Sequence, residues 1–253
     1  MRVTRSRGMK ARATIAYDGT EFSGFQRQTN ARSVQGELER AIEQVTGQRA
    51  NVIGAGRTDA GVHASGQVIA FETDWNHPLD ALHRALNVTL AEDVAVMRLE
   101  EAPAGFHPRY DALSRAYEYT IIKSEVRQPL TRRFAWQMGR ALDAGKMNRA
   151  AQRLLGEHDF VAFGSAPSGS GESTIRNMLR AEWREDGDKL VFCVEANAFL
   201  FRMVRRITAT LVRAGMGELS EDEVGDLLDS RNPDRVKGAA PACGLCLVKV
   251  SYE

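Results

Sequence analysis

The hydrophobic period of this chain switches between strand-like and helix-like spacing, and does so in two successive rounds. Residues 11–17 alternate as a strand does. Ser33 then opens a helical stretch, with Glu37 just inside it and Val34, Leu38, Ala41, Ile42 and Val45 at helical spacing, and Gly47 ends it. Strands are predicted near 50–56 and 66–73, a helix near 79–89 and a strand near 94–100. The second round starts with a strand near 113–123, where Tyr117, Tyr119 and Ile121 share one face and Ala116, Glu118 and Thr120 the other. A strand near 133–138 follows, then a helix near 146–155 ending at Gly156. Strands near 176–185 and 189–196 read as a hairpin turning at Asp186-Gly187-Asp188. Helices near 200–215 and 220–229 and a strand near 245–251 complete the pattern. This is an α+β arrangement in two similar halves, placed at 9–104 and 105–253. Periodicity leaves the strand order open.

The 253 residues suffice for one large domain or two lobes with a substantial core, and 43% of them are hydrophobic, as in ordinary globular chains. No apolar run approaches the length of a membrane span. The basic stretch Met1-Arg2-Val3-Thr4-Arg5-Ser6-Arg7 has no apolar segment behind it, so it reads as a flexible tail rather than a secretory signal. Three cysteines without a targeting segment point to a reducing cytoplasm. A net charge of +1 does not announce a nucleic-acid binder, but arginine supplies 28 of the 34 basic residues, and its planar fork suits phosphates and bases. Arg202, Arg205 and Arg206 fall on one predicted helix and Arg127, Arg132 and Arg133 in one loop. Such clusters are ordinarily solvated faces.

The segment Gly56-Arg57-Thr58-Asp59-Ala60-Gly61-Val62-His63-Ala64-Ser65 lies between two predicted strands and carries an acid, an arginine and an imidazole on a glycine-flanked turn. A carboxylate there is presented by a rigid sheet to whatever binds. Taken alone, Asp59 reads first as a residue that closes its own turn. The segment resembles the signature of the tRNA pseudouridine synthase A family, Gly-Arg-Thr-Asp-Ala-Gly-Val-His-Ala, without a substitution. Further similarity follows in the family's order. It runs through Tyr17-Asp18-Gly19-Thr20-Glu21-Phe22-Ser23-Gly24-Phe25-Gln26-Arg27-Gln28, Ser33-Val34-Gln35-Gly36-Glu37, Phe106-His107-Pro108-Arg109 and Arg115-Ala116-Tyr117-Glu118-Tyr119. It continues through Gly156-Glu157-His158-Asp159-Phe160 and Asn197-Ala198-Phe199-Leu200 with Met203-Val204-Arg205. Phe25, Pro108 and Cys246 stand where the family more often has Trp, Ala and Tyr, which bears on local packing rather than on the reaction.

The resemblance implies a central, mostly antiparallel sheet flanked by helices, in two related lobes with an active-site cleft between them. It implies isomerisation of uridine to pseudouridine at positions 38, 39 and 40 of the tRNA anticodon stem-loop, by a homodimer and without a cofactor or metal. The reaction breaks the C1′–N1 glycosidic bond and rejoins the base through C5, so it needs a carboxylate and a pocket that holds the detached uracil while it rotates. By resemblance Asp59 is the nucleophile, Tyr117 the stacking tyrosine and acid–base candidate, and Arg205 the partner that keeps the carboxylate ionised. Arg57 is placed to fill the space of a flipped uridine or hold a phosphate, and Leu245 to wall the pocket. His63 contacts RNA or braces the turn. On spacing alone Tyr117 is a core residue and Arg205 a helix-surface one. Cys243-Gly244-Leu245-Cys246 has the spacing of half a zinc site, but there is no second pair, and the cysteines read as incidental. Two other readings compete: a pseudouridine synthase acting on other RNA sites, and a non-catalytic tRNA-binding or tRNA-folding protein. Intact Asp59, Tyr117 and Arg205 argue against the second.

Overall fold

A computed structural model describes residues 8–166 and 173–252. The basic N-terminal segment 1–7 lies outside the described residues. The chain divides into two compact units, one running to Ala112 and taking Tyr252 from the C-terminal end, the other Leu113–Ser251.

In the first unit β1 (Met9–Tyr17) is the middle of an antiparallel sheet, between β4 (Val94–Glu101) and β3 (His63–Thr73), and the short β2 (Ile53–Gly54) pairs with β3. The alternation read from sequence has its physical counterpart in β1, where Ala11, Ala13, Ile15 and Tyr17 are buried and the residues between them only half so. Helices α1 (Val34–Thr46) and α2 (Leu79–Thr89) pack on each other, and α2 packs on β4. The Ser33 hydroxyl accepts the Gly36 N–H and starts α1, and Gly47 closes it in the left-handed conformation. Leu38, Ala41 and Ile42 fill its inner face. The connection after β4 belongs with this unit because Phe106 and Tyr252 meet at 5.2 Å, the Arg12 guanidinium lies over both rings, and the Tyr252 hydroxyl donates to the Pro108 carbonyl.

The second unit holds a sheet in the order β10-β5-β9-β8-β7. Its strands are β5 (Ser114–Lys123), β7 (Gly156–Asp159), β8 (Ile175–Asp186), β9 (Lys189–Ala196) and β10 (Leu245–Ser251), all antiparallel, and β6 (Trp136–Met138) runs parallel beside β5. The β8–β9 hairpin turns through Gly187-Asp188, with Asp186 opposite Lys189, at the predicted place. Helices α3 (Ala144–Gln152), α4 (Met203–Gly215) and α5 (Glu221–Asp229) pack together, and α3 lies on β8. Tyr119, Phe160, Phe163 and Phe192 are fully buried in this unit, each contributing about 2–3 kcal/mol from removal of apolar surface.

Several elements differ from their sequence reading. The helix expected over 146–155 runs from Ala144 to Gln152, and Gly156 opens β7 instead of ending the helix. The strand expected over 50–56 pairs only at Ile53–Gly54, since the chain then leaves the sheet for the turn that follows. The strand expected over 133–138 pairs only from Trp136. The strand β7 has no counterpart in the periodicity, because Gly-Glu-His-Asp has no apolar alternation and is recruited by pairing with β8. Helix α4 begins at Met203 rather than near 200, because Leu200–Arg202 form a turn instead of helix. Among the described residues no helix is long and apolar enough to cross a membrane.

Candidate functional site

The six candidate residues of the sequence each fall within one unit. Arg57, Asp59 and His63 lie in the first, Tyr117, Arg205 and Leu245 in the second.

The turn carrying Asp59 is built on the end of β3. The Val62 N–H donates to the Asp59 carbonyl at 3.1 Å, and Gly61 at the third position has φ 78°, the value a type II turn requires there. Arg57 and Ala60 are exposed on either side, and Asp59 is half-buried. Beneath, the turn is fixed by a set of buried hydrogen bonds. The Tyr17 hydroxyl meets the Thr58 hydroxyl at 2.8 Å. The Thr58 carbonyl accepts the Phe25 N–H at 3.0 Å, and the Phe22 carbonyl accepts that of Gly61 at 3.3 Å. Gln67, fully buried on β3, donates through Nε2 to the Gly56 carbonyl at 2.9 Å. Gly19 packs so tightly beneath that a Cβ there would stand 2.0 Å from the Val62 carbonyl oxygen, so only glycine fits.

His63 is 4% exposed and sits on the inner side of this assembly. Its Nδ1 lies 3.0 Å from the Gly19 N–H and 3.2 Å from Asp18 Oδ1. One ring nitrogen cannot accept from the first and donate to the second. The main-chain N–H can only donate, so Nδ1 is the acceptor, while Asp18 Oδ1 takes the Thr20 N–H and hydroxyl at 3.0 and 2.6 Å. Of the two roles open to His63, this burial favours bracing.

In the second unit Tyr117 stands on β5, two residues from Tyr119 and on the same face. The two tyrosines differ. Tyr119 is fully buried, its hydroxyl donates to the Pro241 carbonyl at 2.9 Å, and burial pushes its pKa up. Tyr117 keeps 8% exposure, and its ring meets that of Phe199 edge-on at 5.2 Å. Leu245 opens β10 opposite Tyr119, and Leu247 lies opposite Tyr117, so both leucines share the tyrosine face. Arg205 projects from the first turn of α4. Its Nε donates to the Ala240 carbonyl at 2.8 Å, and the Ala240 N–H returns a bond to the Arg205 carbonyl at 2.9 Å. The adjoining Pro241 carbonyl accepts the Tyr119 hydroxyl, so Arg205 and Tyr119 bond to neighbouring residues of one segment.

The arginine clusters separate in character. Arg127 and Arg132 are exposed in the β5–β6 connection. Arg206 instead turns inward, with Nη2 on the carbonyls of Pro233 and Val236, the latter at 2.9 Å, and burial pulls its pKa down. Cys243 lies 3.5 Å from the Ala135 carbonyl, and burial pushes its thiol pKa up. Among the described residues no three His, Cys, Asp or Glu side chains are placed to hold a metal.

Sequence reasoning assigns no role to Gln67, Ala240 or Phe199. A signal for Gln67 exists, since it is a lone amide before the apolar run Val68-Ile69-Ala70-Phe71. Ala240 carries no side-chain signal, because its part is played by the main chain.

A family model described as tRNA pseudouridine synthase matches residues 13–111 and 150–253. The chain is similar to proteins named tRNA pseudouridine synthase A from several bacteria. It is 40% identical to that of Thermoanaerobacter sp. (strain X514), over 94% of this chain and 97% of the relative. It is 41% identical to that of Geobacter sp. (strain M21), over 94% and 96%, and 38% identical to that of Listeria innocua, over 96% and 98%. The segments matched by the family model include the pinned Asp59 turn, Arg205 and Leu245, and on that similarity the chain belongs to the tRNA pseudouridine synthase family.

Proposed function

We propose that this chain isomerises uridine to pseudouridine at positions 38, 39 and 40 of the tRNA anticodon stem-loop, acting as a homodimer in the cytoplasm and without a cofactor. The observation that carries the reading is the Asp59 turn: a half-buried carboxylate on main chain fixed by the Tyr17, Gly19, Gln67 and His63 contacts. A nucleophile held this way loses little orientational freedom on meeting its target.

Asp59 is the nucleophile, and Tyr117 and Arg205 are its catalytic partners. Attack on the nucleoside releases N1 from C1′. The detached uracil rotates, C5 bonds to C1′ and displaces the carboxylate so that Asp59 is freed, the C5 proton leaves to solvent and N1 takes one up, so no atom is gained or lost overall. A stacked uridine must first be turned out of its helix. Arg57, exposed beside Asp59, occupies the vacated space or a phosphate, and His63 supports binding by bracing the turn. The Tyr117 ring, kept on edge by Phe199, offers a surface for the free uracil, and Leu245 walls that face.

Because the C5 hydrogen is lost, tRNA carrying tritium at uridine C5 tests the reading. Catalytic release of tritium by the purified chain is expected. No release from tRNA, with release from another RNA, would instead favour a synthase acting elsewhere.

A further inference from the structure

The turn before α4 shows an arrangement with no structural use for its two central side chains. Leu200 and Met203, its ends, are buried at 5% and 0% exposure, and the Met203 N–H donates to the Leu200 carbonyl at 3.1 Å. The main chain is pinned again where the Phe201 N–H donates to the Ser165 carbonyl at 3.0 Å. Phe201 and Arg202, between the buried ends, are thereby driven outward, and the Phe201 ring is 53% exposed. Arg202 adopts φ 61°, a left-handed conformation that a turn normally assigns to glycine. A bulky residue kept at such a position, and an aromatic ring kept in water, both work against stability. The Arg202 guanidinium lies over the Phe201 ring, 5.0 Å from its centroid, rather than on a carboxylate among the described residues. The pair immediately precedes the helix turn that bears Arg205.

We propose that Phe201 and Arg202 form a stacking platform for an unpaired base of the RNA substrate, adjoining the reacting nucleotide. The inference rests on the reading of this chain as an RNA-modifying enzyme. The guanidinium lies over the ring, and the exposed part of Phe201 is what it offers to a base. Arg202 in turn presents N–H donors to the neighbouring phosphate. Stacking of this kind tolerates any base and gives affinity without sequence choice, which suits an enzyme that must accept several neighbouring uridines. The pinned, strained turn keeps the ring in position before RNA arrives, so little ordering is left to be done on binding.

The test uses the full chain and two separate readouts: retention of labelled tRNA by the protein, and single-turnover pseudouridine formation at saturating enzyme. Phe201→Ala is expected to weaken tRNA binding about ten-fold, and Phe201→Trp to stay within about two-fold of wild type, with saturated turnover little changed in both. Arg202→Gly relieves the backbone strain, so its melting temperature should hold or rise while tRNA affinity falls. A merely structural residue would move both in one direction. Unchanged affinity in Phe201→Ala, equal losses in the Ala and Trp variants, or a loss confined to saturated turnover would overturn the platform. Wild-type protein that binds tRNA but forms no pseudouridine would overturn the activity reading instead, and the affinity contrast would still decide the platform.

Discussion

The two groups of candidate residues are held in opposite ways. The Asp59 turn is one contiguous stretch whose shape is fixed by hydrogen bonds to main chain and by glycine packing, with Asp59 itself half-buried. Tyr117, Leu245 and Arg205 come from a strand, a second strand and a helix, and they are held by strand register and apolar burial. The difference separates chemistry from stability. Removing the Asp59 carboxylate should spare the fold, whereas cutting back Tyr117 disturbs a core that Phe199 and the neighbouring strands share.

The largest effect is expected from Asp59→Asn. Turnover should fall at least about a thousand-fold, as for loss of a nucleophile, with thermal stability within about 0.5 kcal/mol of wild type. Tritium release beside a melting curve checks both, and a large loss of stability would break the contrast between the regions. Tyr117 comes next. Tyr117→Phe should slow turnover about a hundred-fold with tRNA affinity kept, if the hydroxyl moves a proton. Tyr117→Ala should in addition cost about 3 kcal/mol of stability, read by denaturant titration. A fully active Tyr117→Phe would leave the ring only its stacking role.

The turn's supports should show the intermediate case. His63→Ala strips the acceptor from the buried Gly19 N–H and should cost about 1–3 kcal/mol, with turnover falling through misplacement of Asp59. Gln67→Leu, which removes the donor to the Gly56 carbonyl, should do the same more weakly. Both are read by melting and by the ratio of kcat to KM. Activity lost without any loss of stability would give His63 a direct part in binding RNA.

The smallest effect concerns the arginines. Replacing exposed Arg127 and Arg132 by Gln should reduce the slope of tRNA affinity against salt by about one for each phosphate left without its arginine. Arg206→Gln should leave that slope alone and lower stability, because the Pro233 and Val236 carbonyls lose their donor. A salt series on labelled tRNA, run beside a melt, separates the two kinds of arginine.

The same contrast explains what is legible in the sequence. The helix α1, with Ser33 and Gly47 as its caps, and the β8–β9 hairpin are decided by nearby residues, so their bounds are readable. The strand β7 is decided by its partner β8, and the start of α4 by the bond from Phe201 to Ser165, neither of which local periodicity records. The Asp59 turn is visible as a motif because its parts adjoin in sequence. Of its supports, Tyr17 and Gly19 arrive from elsewhere in the chain, while Gln67 is marked only as a lone amide before an apolar run. For Tyr117 and Arg205, spacing indicates only a core residue and a helix-surface residue. Their assignment comes from resemblance. That Tyr119 is sealed into the core while its neighbour Tyr117 meets Phe199 emerges only with the strands in register.

The decisive measurement maps pseudouridine, nucleotide by nucleotide, in unmodified tRNA incubated with the purified chain. New pseudouridine is expected only at positions 38, 39 and 40, formed by the wild-type chain and absent with Asp59→Asn. Pseudouridine formed equally by Asp59→Asn, or none at those positions with wild-type protein that binds the tRNA, would contradict this reading of the chain.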